Sequence, residues 1–418
     1  MMINPRLIFA RAYEKEAGAK IPDSARPAFH LTPRAGWMND PNGFSWYRGQ
    51  FHLFYQYNPY DTKWDAMHWG HVVSRDLLRW EYLPAALAPD EDYDSFGCFS
   101  GSAVELSDGL QLLMYTGVRK EGGDNGEEFQ VQCLATGDGV DYTKYEGNPV
   151  LDEFDLPVGL SRNDFRDPRM WREADGSLRC VVATCDEQRH GALLLFASED
   201  GFDWRFESIL ARNDGRFGRM WECPDFFQLD GRAVLLVSPQ DMLPEGFEYH
   251  NGNGTVCQIG DFDREEKRFI PEHHQAIDYG IDFYAPQTLL TPDGRRVMIG
   301  WMQNWDTCKL TDQAKRQWFG QMTLPRELSI RNGRLCQRPI RELAAHRSRE
   351  VSYRGLRLNG PMTLDGVEGR TVELEIRLRP EEAERPYHKF SLFFAQDAQY
   401  HSILSFRPYE SLLISLSP

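Results

Sequence analysis

A short signature returns at a nearly constant interval along this chain, and it limits the fold more than any other feature. Ser74-Arg75-Asp76-Leu77-Leu78-Arg79-Trp80, Gly137-Asp138-Gly139-Val140-Asp141-Tyr142 and Ser198-Glu199-Asp200-Gly201-Phe202-Asp203-Trp204 each carry an Asp followed four residues on by an aromatic. These aspartates stand 62 residues apart, and Asp261 continues the series 61 residues later with a looser aromatic at Phe269. Between the marks run short apolar segments such as Phe51-His52-Leu53-Phe54-Tyr55 and Ala192-Leu193-Leu194-Leu195-Phe196-Ala197, cut by Gly, Asp, Asn and Pro. They read as strands, and long helical patterns are absent, so the bulk is all-β. A period near 60 in such a chain points to propeller blades, each a four-stranded sheet around a central channel. Counting residues 29–83 as the first unit gives a five-bladed β-propeller. A β-sandwich with chance internal similarity is the alternative.

The chain has 418 residues, which suits two domains. A helical pattern over 6–20 defines an N-terminal extension of residues 1–27. The propeller is assigned to 28–343. Beyond it, alternating runs at 371–378, 390–394, 402–406 and 412–416 predict a short all-β domain over 344–418, whose open edge invites a homo-oligomer. The formal charge of -16 argues against nucleic acid or an anionic membrane as partner. No apolar run approaches the ~18 residues that a membrane span needs. Eight cysteines form no Cys-x-x-Cys pair and no Cys/His cluster with zinc spacing. With no leader-like start, free thiols in the cytoplasm are the expectation.

The repeat gives meaning to motifs that are otherwise turn chemistry. Asn39-Asp40-Pro41-Asn42-Gly43 alone reads as a tight turn, and Arg166-Asp167-Pro168 as an exposed one. Yet Asp40, Phe99, Asp167, Glu222 and Asp282 lie 59, 68, 55 and 60 residues apart, in step with the blades. Groups one blade apart occupy equivalent places, so carboxylates remote in sequence converge near the axis. Asp40, lying in a turn rich in amide donors, is expected to be ionised. Glu222, between Trp221 and Cys223 in an apolar setting, is expected to be protonated.

Taken in order, Trp37-Met38-Asn39-Asp40-Pro41-Asn42-Gly43, Gln56 with Trp64, Met67-His68-Trp69-Gly70-His71, Phe99-Ser100-Gly101-Ser102, Arg166-Asp167-Pro168, Glu222-Cys223-Pro224-Asp225 and Asp282-Phe283-Tyr284-Ala285-Pro286-Gln287 resemble glycoside hydrolase family 32. The resemblance covers residues 28–345, and it implies that 344–418 is a β-sandwich, here shortened and incomplete. It implies a retaining β-fructofuranosidase with Asp40 as nucleophile, Glu222 as general acid/base and Asp167 as transition-state stabiliser. Trp37, Asn39, Gln56, Trp64, Phe99, Ser100, Arg166 and Trp301 match fructose-site positions, with Asp282 and Tyr284 behind them or at the rim. Trp64 and Trp301 read alternatively as core residues, Trp301 equally so. His68 and His71 read as structural, and no metal or other cofactor is implied. The expected substrate is a small carbohydrate: sucrose, sucrose 6-phosphate or a short fructo-oligosaccharide. Fructosyl transfer to a sugar acceptor, or a propeller that only binds carbohydrate, are the alternatives.

Overall fold

In a computed structural model of the chain, residues 5–122, 126–246, 248–308, 316–380, 387–395 and 402–407 are described. The contacts divide the chain into two units, Met1–His346 and Arg347–Pro418.

The first unit is a five-bladed propeller. The blades span residues 36–87, 97–144, 166–212, 221–276 and 284–339, each an antiparallel sheet whose strands run outward in chain order. Their inner strands are Gly36–Tyr47, Gly97–Glu105, Arg166–Arg172, Trp221–Leu229 and Tyr284–Leu290. Each packs on the next, and the fifth packs on the first, so the ring closes. A two-residue strand, Trp318–Phe319, leaves blade five and pairs in parallel with Gly36 and Trp37 of blade one, fastening the seam.

The repeated aspartates fix the outer turns. Asp76 Oδ1 accepts from the amides of Leu78 and Arg79, Asp138 Oδ1 from Val140 and Asp141, and Asp200 Oδ1 from Phe202 and Asp203. Each carboxylate thus replaces a backbone acceptor and turns the third strand into the fourth. In blade four this role falls to Asp263, which accepts from Glu265 and Glu266, and not to Asp261 as the spacing suggested. Asp261 lies two residues earlier, still inside the strand Val256–Asp263.

The blades are held by apolar contact between neighbours. Leu113, Tyr115 and Phe54 pack blades one and two; Met114, Val182 and Phe196 pack two and three; Leu195, Leu235 and Val237 pack three and four. Leu236, Ile259 and Met298 join four to five, and Tyr55, Val72 and Ile299 join five to one. Each large apolar side chain buried this way contributes about 1.5–3 kcal/mol. Helix α1 (Pro5–Gly18) lies against the outer strand of blade one, Trp80–Leu87. There Arg11 Nε donates to Ala85 O and Glu14 Oε1 accepts from Ala85 N, both at 2.9 Å. The two side chains satisfy an edge residue that has no further strand to pair with.

The second unit departs from expectation at one run, residues 371–378. Phe390–Phe394 and Ser402–Phe406 form a two-stranded antiparallel sheet. Residues 371–378 alternate as a strand should but form no ladder with any described strand, leaving Val372, Leu374 and Ile376 exposed. Alternation prescribes two faces; it does not supply the neighbouring strand. The expected strand at 412–416 lies outside the described residues.

His68 and His71 are buried in blade one. His68 Nδ1 lies 2.5 Å from Ala66 O, and His71 Nε2 lies 3.0 Å from His52 Nδ1. Burial pushes His52 and His68 down to about 4, and His71 well below the ordinary range. A group whose folded pKa is depressed binds more protons when unfolded, so its stabilisation is full above about pH 6.5 and is lost as the pH falls towards 4. Replacing His68 with Gln is expected to remove about 2 kcal/mol of the stability lost between pH 7 and 5. Chemical denaturation of both proteins at the two pH values measures this difference.

Candidate active site

Every inner strand breaks its ladder at the same place. The register slips at Asn39-Asp40 in blade one, Ser100 in blade two, Asp167-Pro168 in blade three, Cys223-Pro224 in blade four and Ala285-Pro286 in blade five. Three of these bulges carry a Pro, which cannot donate to the ladder, and in blade one Pro41 follows the bulge directly. Asp167, Cys223 and Ala285, each just before the Pro of its bulge, hold φ of 63°, 48° and 50°, a region costly for residues with side chains. The bulge redirects consecutive side chains towards the axis.

The result is three tiers, each with one residue per blade. Asn39, Phe99, Arg166, Glu222 and Tyr284 form the upper tier, and Asp40, Ser100, Asp167, Cys223 and Ala285 the middle one. Two residues further on, Asn42, Ser102, Arg169, Asp225 and Gln287 form the floor. This corrects the phase drawn from spacing alone. Phe99 and Glu222 stand one residue ahead of Asp40 and Asp167 in the repeat. Asp282 precedes its strand, half-buried, and accepts from Thr307 Oγ1 at 2.7 Å.

The floor is buried and bonded across blades. Arg169 Nε donates to Asp225 Oδ1 at 2.9 Å, Thr288 N to Asp225 Oδ2 at 2.5 Å, and Gln287 Nε2 to Gly101 O at 2.8 Å. Above it lie the carboxylates. Ser100 Oγ donates to Asp40 Oδ2 at 2.9 Å, while Asp40 Oδ1 is buried and accepts from no described group. Cys223 N donates to Asp167 Oδ2 at 2.9 Å, and the Cys223 thiol lies 3.6 Å from both Asp40 Oδ2 and Asp167 Oδ2. In the upper tier Arg166 Nε and Nη2 donate to Glu222 Oε1 at 3.1 and 3.0 Å. The Tyr284 hydroxyl is 2.6 Å from Glu222 Oε2, and Arg166 Nη1 reaches Asp164 Oδ1 and Gln130 Oε1 at 3.0 and 3.3 Å.

The electrostatics overturn two expectations. Burial, reinforced by the charges of Asp167 and Glu222, pushes Asp40 up to about 7. The Ser100 hydroxyl and Asn39 offset the rise only in part. Burial also raises Asp167 to about 6 despite the Arg166 guanidinium, with Glu222 adding to the rise. The surroundings of Glu222 are not apolar, because a guanidinium and a phenol present hydrogens to its two oxygens. Burial holds the Cys223 thiol well above its ordinary range, so it is a neutral S–H beside two acids.

The remaining candidates separate into two groups. Trp64, 36% exposed, stands at the rim with its ring 6.1 Å from Phe96 and 5.6 Å from Phe99. Trp37 and Trp301, at 1% and 0% exposure, have no surface to offer a sugar. They pack with Trp305 and Phe319 at the seam, and Trp37 Nε1 donates to Asn39 Oδ1 at 2.7 Å, aiming that amide. Gln56 is buried too and donates to Cys98 O at 3.0 Å, linking blades one and two. Aromatic rings near a motif read alike in sequence whether they line a pocket or underpin it. Tyr284 proves a direct partner of Glu222. Sequence reasoning passed over the Cys223 thiol, although it lies inside a quoted motif. It also missed Gln130 and Asp164, which carry no motif signal.

These features define a carbohydrate-cleaving propeller, and comparison with known proteins agrees. Residues 30–339 match the glycosyl hydrolases family 32 N-terminal domain, and the chain belongs to that family. It is 40% identical over 363 residues to a sucrose-6-phosphate hydrolase of Escherichia coli, covering 86% of this chain and 74% of the relative. A raffinose invertase of Escherichia coli is 40% identical over 362 residues, with the same coverage. A family 32 beta-fructofuranosidase structure from Bombyx mori superposes with a TM-score of 0.75 at 41% identity, covering 82% of this chain and 72% of that one.

An acid whose folded pKa is raised destabilises the fold increasingly as the pH rises from its ordinary value to the raised one. For Asp40 that window runs from about 4 to about 7. Asp40→Asn is therefore expected to stabilise the protein at pH 8 by about 2 kcal/mol or more, with the gain vanishing near pH 4. Unfolding curves of the two proteins at both pH values test this.

Proposed function

We propose that this chain is a retaining β-fructofuranosidase that releases a terminal fructosyl residue from sucrose or a sucrose-like glycoside. The observation that carries this reading is the convergence of Asp40, Asp167 and Glu222, from three blades, on one axial pocket with a closed floor. A pocket closed below admits the end of a chain, not its middle.

Asp40 is the nucleophile. Its Oδ1, buried and accepting from no described group, attacks the anomeric carbon of the fructosyl unit as the bond to the leaving oxygen breaks. Glu222, with its side chain 15% exposed, stands nearer the mouth, where the leaving sugar must depart. It gives that oxygen a proton, then takes one from the water that releases the fructosyl ester. Asp167 holds fructosyl hydroxyls, with bonds that tighten as positive charge develops on the ring. Arg166 and Tyr284 orient Glu222 by gripping both of its oxygens. Burial and mutual repulsion raise Asp40 to about 7 and Asp167 to about 6, so the pocket retains a proton near neutral pH. Once that proton lies on Glu222, Asp40 is free to attack.

Raising the pH above about 7 removes the shared proton, so kcat/KM on sucrose should fall there. Glu222→Gln should flatten that basic limb and lower the rate at least ~10³-fold, most for poor leaving groups. Asp40→Asn should abolish turnover. With Glu222→Ala and an activated fructoside, peptide mass mapping should find the fructosyl mass on the Asp40 peptide. A label on the Asp167 peptide would reverse the two roles, and release of fructose with inverted stereochemistry would exclude the ester.

A further inference from the structure

The leaving sugar needs a place beyond Glu222, and the second and third strands of blade two line the way out. Their register pairs Val118 with Gln130 and Lys120 with Glu128. Residues two apart in a strand share a face, so these four side chains point the same way. That face borders the pocket, because Gln130 Oε1 accepts from Arg166 Nη1 at 3.3 Å and Arg166 in turn holds Glu222. Lys120 is one step further out, roughly 7 Å along the strand. Its Nζ lies 3.7 Å from the centre of the Phe96 ring and 3.3 Å from a Glu128 oxygen. Phe96 meets Trp64 and Phe99, so the cation stands at the outer end of an aromatic shelf that begins at the carboxylates.

The neighbouring cations do not share this position. Arg119 faces the opposite side of its strand and stacks on Phe129, as does Arg162, at 4.9 and 4.5 Å from the ring centre. Arg162 is further held by Glu153 at 2.7 Å.

We propose that Lys120 is a specificity-determining residue that binds a phosphate carried by the leaving sugar, which makes a phosphorylated disaccharide the preferred substrate. This rests on the fructofuranosidase reading above. The aromatic shelf holds the apolar face of the sugar and the ammonium meets the anion. Glu128 keeps the ammonium in place when no phosphate is present and weakens phosphate binding by competing for it. The side chain of Lys120 is 21% exposed, so the ion pair with phosphate forms where water screens it only in part.

The test is the ratio of kcat/KM for sucrose 6-phosphate to that for sucrose. The expected ratio in the unaltered protein exceeds one. Lys120→Met should lower it about tenfold, Lys120→Arg should restore most of it, and Glu128→Gln should raise it. A ratio within twofold of the unaltered protein in Lys120→Met, or no preference for the phosphorylated sugar at the outset, overturns the assignment. Should Lys120→Met fail to fold, Glu128→Gln decides alone: an unchanged or lowered ratio overturns the proposal. Failure of the unaltered protein to cleave either sugar overturns the fructofuranosidase reading, a result distinct from cleavage of both with an unmoved ratio.

Discussion

The structure depends on apolar packing between neighbouring blades. Five interfaces of buried Leu, Val, Ile and aromatic side chains hold the ring. They bury the flat faces of the sheets, which leaves the inner edges to point at one another around the axis. Close-packed interfaces transmit position faithfully, so side chains from residues as remote as Asn39 and Tyr284 are held at fixed separations. The small seam strand Trp318–Phe319 and the indoles beneath it prevent the ring from opening where its ends meet.

The axis is where this fold accepts cost. Three acids, a buried guanidinium and an unpaired carboxylate oxygen gather in a space from which water is largely excluded. Left-handed backbone at Asp167, Cys223 and Ala285 adds strain. Such an arrangement persists because the surrounding blades over-determine it, and it concentrates raised carboxyl pKa values where proton transfer needs them. The floor shows the opposite solution. Arg169 and Asp225 are equally buried, yet each is paired and hydrogen-bonded, and they hold shape where the tier above holds chemistry. One repeat, read at three positions, thus yields a rigid base, a tier of buried acids and a ring of partners above them.

The rim belongs to a third regime. Side chains there come from loops and strand ends, are partly wet, and are joined by cation–π and ion-pair contacts of modest strength.

The sequence by itself determined the all-β character, the five-fold repeat and the identity of the three carboxylates. The first two are local: alternation and Asx turns act over a few residues, and Asp76, Asp138 and Asp200 do in the fold what their spacing suggested. The carboxylates were legible because they lie in turn motifs that recur with the blade period. Only the tertiary structure decided the phase of that repeat, since a bulge moves each side chain by one residue and spacing is blind to it. Only the structure revealed that Trp37 and Trp301 are buried at the seam between blades five and one and that Asp40 is pressed towards its acid form. Only the structure left residues 371–378 without a partner among the described strands. Burial, the proximity of like charges and strand pairing belong to contacts between segments far apart in the chain, and no short stretch of residues records them.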